Sequence, residues 1–146
     1  MSAMAGRTEK GLLLAAAVAV AVSTTVAPVS AASFVDKRTN ACTPGCGYGI
    51  VVKYWYKKGS NQRGVGWVYA SKGSVKKGRG YYARWLYQKP GKPMRTGQSW
   101  TKGRAVGDFN EVSWGKDGHT GPQFPKNTKI CIQYKGVATQ LCRTLA

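Results

Sequence analysis

The sequence predicts an all-β fold, a small sandwich or barrel built from antiparallel hairpins and closed by two disulfides. Three observations predict it. Stretches rich in β-branched and aromatic residues alternate with period two. Gly-rich basic turns separate them, and no stretch carries a convincing amphipathic helical pattern. Four cysteines follow an apolar leader, enough for two bridges in an exported chain.

Residues 1–32 read as a secretory signal peptide. Arg7 and Lys10 form a charged start, "LLLAAAVAVAV" (12–22) is the apolar run, and small residues lead to a cleavage point at Ala31 or Ala32. The run is too short and Ala-rich for a comfortable membrane span. A secreted, extracellular protein of one domain is the expectation. Residues 33–41, "SFVDKRTNA", read as an exposed N-terminal arm, and 42–146 as a single β domain.

"CTPGC" then places Thr-Pro-Gly between Cys42 and Cys46, a natural tight turn. "YGIVVKYWYK" (48–57) alternates. Tyr48, Ile50, Val52, Tyr54 and Tyr56 share a face apolar enough for a core; Val51, Lys53, Trp55 and Lys57 share the other. "GWVYA" (66–70) and "GYYARWLYQK" (80–89) repeat the theme. The second of these sets Tyr81, Ala83, Trp85 and Tyr87 opposite Tyr82, Arg84 and Leu86. "SWTKGRAV" (99–106) and "NEVSW" (110–114) read as further strands, and 115–127 as a long turn-rich connection. "CIQYKGVATQLC" closes the chain as a hairpin. A turn centred on Gly136 and Val137 sets Cys131 opposite Cys142. Local pairing therefore favours Cys42–Cys46 and Cys131–Cys142. The cysteine spacing matches no familiar zinc pattern, so no metal or other cofactor is expected.

Charge is the loudest compositional fact. Removing Arg7, Lys10 and Glu9 with the leader leaves 21 basic residues and four acids, a net charge of +17. Such a chain attracts polyanions before any specific contact forms. Lys58, Arg63, Lys72, Lys76, Lys77 and Arg79 lie in two successive hairpin connections. In a meander, consecutive connections fall at opposite ends, so these cations form either one patch or two poles. Trp55 and Trp85, each flanked by cations, are the aromatic platform candidates.

One cluster raises catalysis. Asp108, Glu111, Asp117 and the lone His119 fall within twelve residues. Small microbial ribonucleases combine Glu, His and Arg, so Glu111 and His119 are the pair an enzyme would use here. The order and flanking residues of such enzymes are not matched, and "DGH" reads equally well as turn chemistry.

"GYGIVVKYWY" (47–56) near the mature start and "KICIQYKGVATQLCRTLA" (129–146) at the end carry a resemblance. The chain resembles small secreted disulfide-containing β proteins of actinomycetes, including adaptor-type subunits of secreted antibacterial toxin particles. That resemblance implies an N-terminal arm docking into a partner protein, with Phe34 and Val35 as its apolar anchors. The functional expectation is a secreted cationic protein that engages an anionic partner, a wall polymer, nucleic acid, lipid or acidic protein, without catalysis. Its rivals are an adaptor in a secreted protein complex and a small nuclease.

Overall fold

The computed structural model describes residues 33–146; the leader at 1–32 lies outside the described residues. In chain order the elements are β1 (Phe34–Cys42), a 3-10 turn (Pro44–Cys46), β2 (Tyr48–Lys57), β3 (Gln62–Lys72), β4 (Tyr82–Gln88) and β5 (Arg95–Lys102). There follow β6 (Arg104–Val106), β7 (Phe109–Gly115), β8 (Gln123–Pro125), β9 (Lys129–Tyr134) and β10 (Leu141–Thr144). They form two antiparallel sheets. The first runs β1-β2-β3-β7-β6, with β8 also pairing β3; the second runs β10-β9-β4-β5. The fold is the expected all-β sandwich with two disulfides.

Period two explains the core. Ile50, Val52 and Tyr54 on β2 and Val68 and Ala70 on β3 face inward from the first sheet. Ala83 and Trp85 on β4 meet them with Ile130, Ile132 and Tyr134 on β9. Apolar side chains of both inner faces interdigitate into one layer, the usual basis of a sandwich. Its corner is at Gly103, where the chain leaves β5 in one sheet and enters β6 in the other. A Cβ there would collide with the buried Asn110 side chain, so only glycine lets the strand turn so tightly.

Both disulfides have the local pairing read from the sequence, and no free cysteine remains among the described residues. Cys131 and Cys142 are Cα partners in the β9–β10 ladder, as the hairpin register requires. The supposed arm is not free. Residues 34–42 pair with β2 along nine Cα partners and make the edge strand of the first sheet. Its side chains are mostly exposed, which suits an edge strand kept polar against unwanted pairing.

One irregularity shapes the outer face. Lys53 is opposite Trp67 but Tyr54 is opposite Val65, so Gly66 is an extra residue in β3. Such a bulge frees backbone groups from the ladder. Here they hold the 116–122 loop: Lys116 N–H donates to Gly66 O at 2.9 Å, and Val65 N–H to Pro122 O at 2.9 Å. The loop main chain rests on Gly66, where any Cβ would crowd Gly118 O at 2.9 Å.

Candidate functional site

That loop decides the fate of Trp55. Its indole N–H donates to Thr120 O at 2.9 Å, and its ring lies flat over Gly64, its partner on β3. Phe34 meets it edge-on at 5.5 Å. Trp55 is therefore 9% exposed and offers no stacking platform. Trp85 is 4% exposed, its ring over Gly97 of β5 and edge-on to Phe124. Both indoles cover a glycine on the neighbouring strand, which gives the wide ring a flat bed and shields the backbone. The sequence reading of these two rings as platforms is corrected by that packing.

Arg63 is also corrected. It is 4% exposed, and its guanidinium donates to the main-chain oxygens of Ala146 (2.7 Å), Ser60 (2.8 Å) and Gln62 (3.1 Å). It stacks on Tyr56 with Cζ 3.9 Å from the ring centroid. Its fork fixes the end of the described chain and is not available to a partner. Lys58 lies exposed in the β2–β3 turn at the same end.

The remaining predicted cations stand at the other end of β3. That strand is eleven residues long, roughly 33 Å at the usual rise. The two basic connections therefore make separate poles. At the far pole the 73–81 loop folds beside the β9–β10 turn, and Lys135 N–H donates to Tyr82 O at 2.8 Å. A groove of about 560 Å³ opens between them, lined by Lys72, Lys76, Arg79 and Lys135 with Tyr81 and Tyr82. Lys77 is exposed on the same loop but does not line the groove.

The loop is held by its aromatics. Tyr81 Oη accepts the Lys76 N–H at 2.9 Å, and Gly103 N–H donates to Tyr81 O at 2.9 Å. Lys72 Nζ sits 5.3 Å from the Tyr81 centroid and 5.4 Å from that of Tyr48. Arg79 also faces Tyr81, and Lys135 faces Tyr82. These cation–π contacts let like charges gather without a carboxylate between them. No acid lines the groove. Among the described residues, the ion pairs Lys53–Asp117 and Arg104–Glu111 and the His119–Asp36 hydrogen-bond contact all lie elsewhere. Lys135, Tyr81 and Tyr82 were not among the residues expected from sequence. Tyr81 and Tyr82 beside "KKGRG" were the available signal; Lys135 is brought in only by the β4–β9 pairing.

The catalytic candidates are not brought together. Glu111 on β7 accepts the Tyr69 hydroxyl at 2.6 Å and faces Arg104 at 3.5 Å. Burial, reinforced by that carboxylate, pushes the Tyr69 phenol up to about 12. His119 lies in the 116–122 loop, stacked on Phe34 at 4.1 Å with its Nε2 2.9 Å from Asp36 Oδ1. The two residues line different pockets. Phe34 thus has an intramolecular role, packing against Trp55 and His119, and Val35 is half-buried in β1.

Among the described residues no helix is long and apolar enough to cross a membrane. Comparison with protein-family models, with curated proteins and with solved structures finds no match to this chain.

Proposed function

We propose that the protein is an exported, non-catalytic binder of an anionic polymer, engaged at the groove between the 73–81 loop and the β9–β10 turn. One observation carries this reading: four cations and two tyrosines converge on one concave surface with no carboxylate among them. Approach of a chain of phosphates is favoured there, because no carboxylate lines the groove to compete for the cations. A phosphodiester polymer is the ligand class, whether single-stranded nucleic acid or a glycerol-phosphate wall polymer. Tyr82, 39% exposed, is the ring placed to meet a base.

Titration with a labelled single-stranded oligonucleotide and with poly(glycerol phosphate) distinguishes the two sources. Equal affinity for both assigns recognition to the phosphate chain. Preference for the oligonucleotide, removed by Tyr82→Ala, assigns part of it to base stacking. Failure of both polymers to bind at low salt overturns the proposal. An adaptor would use β1, with Phe34 exposed, as an edge strand rather than as a free arm.

A further inference from the structure

The two sheets close on each other unequally. On one flank β1 and β10 are tied by Arg143 Nε donating to Thr39 Oγ1 at 2.8 Å. On the other flank the edge strand β5 does not pair with β7, and a cleft of about 760 Å³ opens between them. It is bounded by the bond from Trp114 Nε1 to Thr101 Oγ1, 2.9 Å, and by the loop that the Gly66 bulge anchors. The cleft and the basic groove share no lining residue.

Its chemistry differs from that of the groove. Trp85, Tyr87, Trp114 and Phe124 form apolar aromatic walls, and Gln98 and Lys116 supply polar groups. Lys116 is the one charged residue lining it and is exposed to solvent. Among the described residues, Trp85 Nε1 is buried and has no hydrogen-bond partner. A buried N–H without an acceptor is unfavourable, and native structures rarely leave one unmet. Gly97 lets the six-membered ring of Trp85 lie against β5, where a Cβ would collide with it. The size matches that of small-molecule sites, as does the mix of aromatic walls with a few polar groups.

We infer that this cleft is a second binding site, for a small aromatic acid: one or two rings between the aromatic walls, with an acidic head toward Lys116. The site is independent of the polymer groove and does not rest on it.

Hydroxynaphthoate is the probe, followed through the indole N–H resonances in nitrogen-edited NMR spectra of the full chain. The expected result is saturable shifts at Trp85 and Trp114, with Trp55, Trp67 and Trp100 unmoved. Lys116→Gln, at an exposed position, weakens hydroxynaphthoate several-fold and leaves neutral naphthol unaffected. Absence of saturable shifts up to millimolar probe overturns the inference. So do shifts spread over all five indoles, which mark surface adsorption, and wild-type binding of hydroxynaphthoate by Lys116→Gln.

Discussion

Arg63 shows how a single residue changes meaning between sequence and structure. As a cation in a basic loop it reads as a binding residue. Folded, it is a buried fork holding three main-chain oxygens and lying on Tyr56. Nothing in the local sequence tells the two apart, because one of its acceptors lies 83 residues away. Arg63→Ala leaves those oxygens unpaired and is expected to destabilise the fold by about 3 kcal/mol, measured by urea denaturation. Arg63→Lys keeps the charge but loses the fork, so it recovers only part of that loss. Neither variant is expected to alter polymer binding at temperatures where it stays folded.

Tyr69 supplies a second residue-scale prediction. Its phenol is raised from 10.0 to about 12, first by burial and then by the hydrogen bond to Glu111. Burial likewise raises Tyr134. The folded state therefore holds these protons more tightly than the unfolded chain. Their contribution is complete below pH 10 and is lost as pH rises from 10 toward 12. Denaturation midpoints are expected to fall across that window, and Tyr69→Phe to flatten part of the decline. Glu111→Gln is expected to lower the Tyr69 titration seen in ultraviolet absorbance, since one of the raising causes is gone.

At the scale of elements, most of the architecture is legible in the sequence. The faces of β2 and β4 follow from alternation, and the register of Cys131 with Cys142 follows from the length of their hairpin. What is not legible depends on contacts between distant segments. Trp55 alternates onto an outer face, yet the 116–122 loop buries it through a bond spanning 65 residues. The polar stretch 33–41 reads as an arm because an edge strand needs few apolar residues; pairing with β2, not composition, orders it. The terminal hairpin has a role in the groove as well as in stability. Replacing Cys131 and Cys142 by alanine is expected to lower stability by about 3 kcal/mol. It also loosens the turn that presents Lys135, so polymer affinity is expected to fall while Lys72, Lys76 and Arg79 are untouched. Thermal denaturation and anisotropy titration of one sample check both effects.

At the scale of the whole molecule, the topology separates the positive charge into poles. Lys58 sits at the β2–β3 turn, and the groove sits at the opposite end of β3. The sequence offered one patch or two, and the strand order decides for two. General attraction by the net charge of +17 carried by residues 33–146 predicts that every exposed lysine contributes alike. A built groove predicts that position matters. Three of the four carboxylates among the described residues, Asp36, Glu111 and Asp117, are engaged away from the groove; the fourth, Asp108, does not line it, although its main-chain oxygen accepts the Val75 N–H of the 73–81 loop at 3.4 Å.

Salt-dependent oligonucleotide binding is the measurement that tests this most directly, comparing the wild type with Lys76→Glu, Arg79→Glu and Lys135→Glu and with Lys58→Glu at the far pole. Four cations on the phosphates of a single strand predict an affinity loss of about 50-fold between roughly 50 and 200 mM salt. Each groove variant is expected to weaken binding and flatten that slope, while Lys58→Glu leaves the slope close to wild type. Equal losses from both poles, or binding that ignores salt, would contradict the account.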